Sequence, residues 1–425
     1  MSLGEATRRA LENDPVFLVA QSSLDVSRER SAQAFSNMLP QLTATANTTL
    51  NRRDYTLNGS SRSSVQEKYN SNVVQLNLAQ PLWQRAKGIA VTEAGLVVTQ
   101  ASYQLAAAKQ DLFMRLAQAW FDIMQARDAV MFSAAQSLAA KEQLEQARHG
   151  KTLGLISAAE LEDANAKYEQ AIADQDGMEN EQEIKLAAFE QIVGAVAIPA
   201  PPFLRNGFTL PDMLERTLEQ WLSRAEENSP SVLAAKSALE AANEEVRKQS
   251  AGHEPTLDIV ASYGNSAQGA GISGGQSGFN SRLSTLGFQM NVPLYAGGGQ
   301  SAKIREAEAL KEKARHELES ARRAARLSIK QAWFAWHASH ARQKSALQAM
   351  QSTSFAVKAA ESGTNRGLKI RLDILQERQK EEGARRDLQK ARYDMITSYF
   401  KLKAATGELA EDDLRALDKE FEGAD

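Results

Sequence analysis

The stretch that decides the fold is LGFQMNV, at residues 286–292. Its large apolar residues alternate with Gly, Gln and Asn, which is the period-two pattern of a β-strand with one apolar face. The same alternation starts at Leu42, at Val74 and at Leu257. We therefore predict four strands, at residues 41–50, 72–82, 256–264 and 283–294. Each is about as long as a tilted membrane-spanning strand, which has ~9–11 residues.

Most of the remaining chain favours very long helices. Gly and Pro are absent from residues 96–149 and 300–362, which are rich in Ala, Leu, Gln, Lys, Glu and Arg. These residue types are good helix formers. The sevenfold spacing of Leu105, Leu112 and Ala119 indicates coiled-coil packing. The sequence therefore predicts helices at 83–149, 155–193, 300–362 and 368–406, and a further helix before the first strand of each half.

The two halves of the sequence repeat each other. The motif Pro81-Leu82-Trp83 recurs as Pro293-Leu294-Tyr295, and Gly194 recurs as Gly407. Matches in the same order at a nearly constant offset indicate a tandem duplication. We assign residues 1–194 and 228–407 to the two repeats, residues 195–227 to a joining segment and residues 408–425 to a C-terminal tail.

Composition excludes several classes of protein. The 425 residues include 50 Lys and Arg against 53 Asp and Glu, so the chain lacks the basic excess of a nucleic-acid-binding protein. It has no Cys, and hence no disulfide, thiolate metal site or lipidated N-terminal Cys. We recognise no catalytic constellation, and we expect neither an enzyme nor a bound cofactor or metal. The first residues lack signal-peptide features, so we expect a mature sequence that restarts at Met1.

The apolar faces of the four predicted strands need a cover. The predicted helices are committed to coiled coils, and the predicted loops 51–71 and 264–281 are rich in Asn, Ser, Gly and Arg. Lipid is then the expected cover, although a soluble sheet with one face on a core shows the same alternation. Four strands are too few to close a barrel, because small barrels need about eight. We therefore expect a membrane barrel that several copies of the chain share.

These features together resemble the TolC family of outer-membrane efflux and secretion ducts. The resemblance rests on the duplication, on the Pro-Leu-aromatic motif that closes each second strand and on the Gly-x-x-x-Gly turns. It implies a mainly α-helical fold with a small β-barrel: a homotrimer with a 12-stranded transmembrane barrel, four strands from each copy, and a long periplasmic α-helical coiled-coil barrel. It also places residues 195–227 and 408–425 in equatorial segments. Docking to an inner-membrane ABC or proton-driven pump, through a periplasmic adaptor (membrane fusion) protein, is implied as well.

The resemblance assigns a periplasmic aperture to the two turns between long helices. It places an acid at Glu160 in the first turn and at Asp373 in the second, and it places Gln376 where the family has another acid. Lys369 and Arg371 lie within about a turn of Asp373 and can pair across the aperture to hold it shut. Ordinary solvated charges remain the alternative, because acids at a helix start suit the helix dipole.

The resemblance also assigns adaptor contacts to the tips of these turns. The tips contain four glycines that repeat between the halves: Gly150, Gly154, Gly363 and Gly367. Glycine permits backbone conformations that other residues disfavour. A plain turn is therefore the alternative interpretation of each.

These expectations point to export. We predict an outer-membrane duct that works with an inner-membrane pump and a periplasmic adaptor, and the absence of an N-terminal lipidation Cys favours type I secretion of a protein such as a toxin. Multidrug or small-molecule efflux is the alternative cargo. A soluble coiled-coil scaffold is the alternative of a different class, and it would leave the four strands without a purpose.

Overall fold

The computed structural model describes residues 1–56, 64–195, 203–205, 216–269, 278–366, 368 and 370–422. The chain divides into two compact units. The sheet unit comprises Leu24–Gln100 and Ala235–Leu318, and the helical unit comprises Met1–Ser23, Ala101–Ala234 and Glu319–Asp425. Within the described ranges, no helix combines the length and the apolar character needed to cross a membrane.

Long helices dominate the described chain. In chain order the helices are α1 (Leu3–Asn13), α2 (Pro15–Ser36), α3 (Arg85–Thr152), α4 (Ala158–Val193), α5 (Leu218–Asn228), α6 (Pro230–Ser250), α7 (Gly299–Asn365), α8 (Arg371–Ala405) and α9 (Glu411–Asp418). The strands are β1 (Gln41–Thr56), β2 (Ser64–Trp83), β3 (Phe203–Leu204), β4 (Thr256–Gln268), β5 (Phe279–Asn291) and β6 (Phe421–Glu422). The helices α3 and α7 have 68 and 67 residues, so each is about 100 Å long at about 1.5 Å per residue.

The sheet unit is built on one antiparallel sheet in the order β1-β2-β4-β5. Its register brings the four predicted apolar faces onto the same side. One row across the sheet runs Leu42, Leu78, Ala261, Leu286, and a neighbouring row pairs Ile259 with Phe288. On the outer strands these side chains are largely uncovered, since Leu286 is 79% and Phe288 is 75% exposed, and on the inner strands they are partly exposed.

The opposite face of the same sheet is polar. A row across it runs Thr43, Asn77, Ser262, Thr285. The hydroxyls of Ser262 and Thr285 lie 2.6 Å apart, so one donates to the other across the strands. The two outer strands β1 and β5 each pair on one side only. The sheet therefore has one apolar face, one polar face and two open edges.

Most of the predicted strand ends were wrong. The strands β1 and β2 continue to Thr56 and from Ser64, well into the predicted loop 51–71, and β4 and β5 likewise shorten the predicted loop 264–281. The physical reason is that polar cross-strand pairs extend the ladder beyond the last apolar residue: Asn51 Nδ2 donates to Ser71 Oγ over 2.9 Å, and Gln66 Nε2 donates to Asp54 Oδ1 over 2.8 Å. β5 ends at Asn291, before the predicted 294, because Pro293 has no N–H to pair. Residues 57–63 and 270–277 lie outside the described part.

The core of the helical unit lies between α3 and α8. Leu112 and Leu116 of α3 are fully buried, and the ring of Phe121 stacks on that of Tyr393 in α8 with centroids 5.4 Å apart. The Tyr393 hydroxyl donates to Asp128 Oδ2 over 3.2 Å. Burial, reinforced by the nearby carboxylate, raises the pKa of this hydroxyl above its ordinary range. The hydroxyl therefore remains a proton donor that links α8 to α3.

The four long helices of the helical unit are joined in the order α7, α8, α3, α4. Arg378 of α8 pairs with Glu361 of α7 over 2.9 Å, and α8 packs on α3 as described. Ser137 Oγ of α3 donates to Gln175 Oε1 of α4 over 2.7 Å. No hydrogen bond or ion pair among the described residues connects α4 with α7. The helices α4 and α7 are therefore the two outer members of this row.

The joining segment and the tail meet in the helical unit. A short antiparallel pairing connects β3 with β6, and Phe421 of β6 is buried with its ring 6.3 Å from that of Trp120. Asp418 accepts hydrogen bonds from the N–H groups of Leu3 and Gly4 at 2.7 and 2.9 Å. Both chain ends are thus fixed to the same core. Residues 196–202 and 206–215 of the predicted joining segment lie outside the described part.

Candidate functional site

The first helical turn connects α3 with α4. Gly154 adopts a left-handed conformation with φ of +71°, which glycine allows at low cost. The N–H of Leu155 donates to the carbonyl of Gly150 over 2.8 Å. Gly150 itself is helical, because α3 continues to Thr152. The absence of a side chain at Gly150 lets Ile156 pack closely against the helix, because an added Cβ would lie 3.3 Å from Ile156 Cγ2.

The second helical turn, between α7 and α8, repeats the same backbone hydrogen bond. The N–H of Leu368 donates to the carbonyl of Gly363 over 2.8 Å. Gly363 lies within α7 and is therefore helical too, so it has no need of a special conformation. Gly367 and Lys369, predicted for the tip and for the aperture, lie outside the described residues.

The two predicted acids occupy equivalent places at the starts of α4 and α8. Glu160 accepts a hydrogen bond from Ser157 N over 2.6 Å, and Asp373 accepts one from Ile370 N over 2.9 Å. In the first turn the Ser157 hydroxyl also accepts from Glu160 N over 3.2 Å, which completes a capping box. Ile370 has no side-chain oxygen and makes no such bond.

The two acids differ in solvent exposure and in the hydrogen bonds that their carboxylates accept. Glu160 is exposed, whereas Asp373 is half-buried. Hydrogen bonds from the Ser157 N–H and hydroxyl lower the pKa of Glu160 below its ordinary value of 4.5. An exposed carboxylate that stays ionised is available to a passing cation. Both acids therefore cap their own helix starts, and Glu160 is in addition exposed to solvent.

Arg371 has a partner that the sequence did not predict. Its Nε lies 3.7 Å from Glu142 Oε2 in α3, so the first residue of α8 is tied to the neighbouring helix. The carboxylate of Glu142 is only 24% exposed, whereas Arg371 is 74% exposed. The expected pairing of Arg371 across the aperture stays a prediction.

Gln376 lies on α8 beside a cleft of about 420 Å³ between α3, α4 and α8. Amide side chains line much of this cleft, including Gln136, Gln143 and Gln170. Gln376 is therefore part of an amide surface rather than a third acid. In the described part of the chain, no group of three or more His, Asp or Glu side chains is placed to hold a metal ion.

Both turns also expose large apolar side chains, which sequence reasoning missed. Leu153 and Leu155 project from the first turn, and Leu368 and Ile370 project from the second. Each is at least 54% exposed. Apolar residues this exposed at a turn are typical of a contact surface. The available signal was the unusual presence of Leu and Ile beside turn glycines.

Comparison with known proteins places these features in one family. The family model described as outer membrane efflux protein matches residues 6–195 and 221–408, close to the two predicted repeats. The outer membrane protein TolC of Vibrio cholerae is 29% identical over 97% of this chain and 92% of its own length. The proteases secretion protein PrtF of Dickeya chrysanthemi is 27% identical over 100% of this chain and 92% of its own length. The CmeC outer membrane channel of Campylobacter jejuni has a similar fold, with a TM-score of 0.78 at 18% identity over 98% of this chain and 89% of that one.

Proposed function

The chain belongs to the outer membrane efflux protein family, and from that premise we propose that it forms the exit duct of a type I protein-secretion system. It is an outer-membrane channel protein of the TolC kind. In the proposed system it is a homotrimer that receives its cargo from an inner-membrane pump through a periplasmic adaptor protein. The pump supplies the energy, and the duct supplies a path across the outer membrane.

The observation that carries this proposal is the two-faced sheet. Its apolar face holds Leu42, Leu78, Leu286 and Phe288 in register without cover from the described chain. Leaving so much apolar surface in water is unfavourable at about 25 cal/mol per Å². Lipid removes that cost, and the polar face then lines an aqueous path.

The open edges of β1 and β5 support closure by other copies. Unpaired strand edges expose rows of N–H and C=O groups, which inside a membrane must be paired. Edge-to-edge pairing of copies around one axis satisfies both edges at once. Three copies, the number that the family resemblance implies, bring 12 strands, four from each.

The similarity to one relative supports protein cargo over small molecules. PrtF, similar along the full length of this chain, is named for the secretion of proteases. Small-molecule efflux is the second candidate, because the family description itself names efflux.

We further propose that the helical turns form the periplasmic aperture and the adaptor contact. Glu160 and Asp373 contribute two carboxylates per copy, and Arg371 holds α8 against α3 through Glu142. Lys369 and Gln376 belong to the same proposed aperture on sequence grounds. The exposed Leu and Ile side chains beside Gly150, Gly154, Gly363 and Gly367 give the adaptor an apolar surface.

A matched pair of substitutions tests the membrane assignment. Phe288 and Gln289 are adjacent in β5 and face opposite sides. Phe288→Lys puts a charge on the lipid face, which costs up to ~2–4 kcal/mol, the value at the bilayer midplane, so we expect a loss of trimer in the outer-membrane fraction. Gln289→Lys puts the same charge on the aqueous face and should leave the yield near wild type. Equal yields of the two variants would contradict the assignment.

Deletion of the gene in its host tests the cargo. Loss of one or more secreted proteins from the culture medium, with unchanged sensitivity to antibiotics and detergents, supports type I secretion. The reverse pattern supports small-molecule efflux and overturns the type I assignment. Complementation with the wild-type chain and with Phe288→Lys separates the effect of the duct from effects on neighbouring genes.

A further inference from the structure

The helix α7 carries a line of basic side chains on one exposed face. Between Glu319 and Glu361 it contains no acidic residue. A sevenfold spacing connects five of its exposed basic side chains, with only Gln351 interrupting the series: Arg323, Lys330, His337, Lys344 and Lys358. Residues seven apart lie on the same side of a helix that packs as a coiled coil. We call this set the basic line.

The helix α4 carries a line of acids with the same spacing. It has ten acidic residues and two lysines. Five of its exposed acids recur every seven residues without interruption: Glu162, Glu169, Asp176, Glu183 and Glu190. We call this set the acidic line. A single face of a helix that repeats one charge over four heptads repels itself unless opposite charge covers it.

Neither line is neutralised from across the helical unit. The acidic residues of α4 that have ion-pair partners lie off the line: Asp163 pairs with Lys167 and Glu181 with Lys185. On the basic line, Arg323 pairs with Glu319 in the preceding turn. The remaining members of both lines form no ion pair among the described residues.

The two lines lie on the outer helices of the row α7, α8, α3, α4. A cleft of about 600 Å³ is lined by α7 and α8, and another of about 360 Å³ by α3, α4 and α8, so α8 lies between α7 and the pair α3 and α4. An open row with different outer members closes into a ring when the last helix of one copy meets the first helix of the next.

The lines also match in position and direction. Glu162 lies four residues after the start of α4 at Ala158, and Lys358 lies seven residues before the end of α7 at Asn365. Both ends adjoin the helical turns, and the lines run away from the turns in opposite chain directions. Antiparallel contact of α4 and α7 therefore sets Lys344 at the level of Asp176 and Glu183, at about 1.5 Å of rise per residue.

We propose that the acidic line of α4 in one copy packs against the basic line of α7 in the next copy, and that this charge pairing selects the ring. The inference rests on the homo-oligomer of the proposed function and identifies its helical interface. Charged residues that flank a coiled-coil seam set partner and orientation, and like-charged pairings, α4 with α4 or α7 with α7, are repelled.

Charge reversal tests the interface. The acid-reversed variant carries Glu169→Lys, Asp176→Lys and Glu183→Lys, and the base-reversed variant carries Lys330→Glu, Lys344→Glu and Lys358→Glu. We expect each to shorten the half-life of the detergent-solubilised oligomer about tenfold or more at low salt. The variant with all six changes should regain a half-life within about twofold of wild type, because the lines are exchanged rather than removed. At about 1 M salt the differences should shrink, since the Debye length falls to about 3 Å.

A control on the same helix separates pairing from total charge. Asp163→Lys, Asp174→Lys and Glu181→Lys make the same charge change off the acidic line, and we expect an oligomer as long-lived as wild type. If the variant with all six changes recovers, misfolding cannot explain the shorter half-lives of the acid-reversed and base-reversed variants. A carbodiimide, which joins amines to carboxylates in direct contact, should also link wild-type chains into covalent multimers through Lys344 and Asp176 or Glu183.

The outcomes distinguish this interface from the proposed function. A monomeric wild-type chain in detergent overturns both. The interface is overturned, and the duct left intact, if the wild type is oligomeric but the acid-reversed variant is as long-lived as the control. The same holds if the variant with all six changes is no longer-lived than the acid-reversed and base-reversed variants.

Discussion

The two helical turns share a backbone and differ in what holds the following helix in place. In both, the N–H of the third residue beyond the helix donates back over 2.8 Å, to Gly150 or to Gly363. The start of α4 is then capped locally, by the reciprocal hydrogen bonds of Ser157 and Glu160. The start of α8 keeps only one of these bonds, from Ile370 N to Asp373, and adds the ion pair of Arg371 with Glu142 in α3.

The difference shows how a duplicated unit can divide its roles. The first turn is held by hydrogen bonds between residues within five positions of each other, so these bonds persist wherever the neighbouring helices lie. The second turn is tied to another helix, so its position depends on a contact that can break. We therefore expect α8, rather than α4, to be the helix that moves when the aperture opens.

Removal of Arg371 is expected to have the largest effect. The residue at the same place in the first repeat is Ala158, so Arg371→Ala makes the second turn like the first. An exposed ion pair contributes roughly 0.5 kcal/mol, and three copies together lose roughly 1.5 kcal/mol, or about tenfold in the equilibrium between closed and open. Single-channel recording in planar bilayers should show open probability rising by that factor.

The same helix supplies the control for this prediction. Arg378→Ala removes an arginine and an ion pair of similar exposure, but that pair joins α8 to α7. It should leave the open probability near wild type, whereas Glu142→Gln should reproduce Arg371→Ala. If Arg378→Ala opens the channel as much as Arg371→Ala does, the tie to α3 is not the closing contact.

Neutralising the two acids is expected to have the next largest effect. Glu160→Gln with Asp373→Asn removes the charge but keeps an oxygen that accepts the N–H at each helix start. The preference of the open channel for cations over anions should fall toward one, because a ring of carboxylates attracts cations. Reversal potentials in a salt gradient measure this preference.

The pH dependence sharpens the comparison between the turns. Because hydrogen bonds from Ser157 lower the pKa of Glu160 below 4.5, more than half of its carboxylates are ionised at pH 4.5, and the charge is lost as the pH falls through the lowered pKa. In an Asp373→Asn background, cation preference should therefore persist at pH 4.5. It should be absent at every pH once Glu160→Gln is added. A preference that is unaffected by Glu160→Gln would exclude this acid from the aperture.

The sheet could be predicted from sequence where its signal is local. The alternation from Leu42, Val74, Leu257 and Leu286 located four strands and their apolar faces, and the register places those faces on one side. The strand ends could not be found in this way. Polar pairs such as Asn51 with Ser71 continue the ladder without any apolar residue to mark it.

The candidate site was predictable to a smaller extent. The acids at the starts of α4 and α8 are identifiable because helix starts and repeated motifs are local features. The pairing of Arg371 with Glu142 joins residues more than two hundred positions apart and leaves no pattern in the sequence. Gly150 shows a different limit of sequence-based prediction. Glycine there suggested a turn, but the residue is helical and its lack of a side chain lets Ile156 pack against the helix.

The smallest expected effect concerns the capping bonds themselves. Ser157→Ala removes the acceptor of the Glu160 N–H, which costs about 1 kcal/mol at a helix start. Hydrogen exchange at the Glu160 amide should accelerate about fivefold. The reverse change, Ile370→Ser, supplies the missing oxygen in the second turn, but Asp373 N already donates to the carbonyl of Ile370 over 3.1 Å. Exchange at the Asp373 amide should therefore change less than about twofold. Equal and opposite effects at the two amides would mean that the second turn is held locally after all, and that the ion pair with α3 adds little.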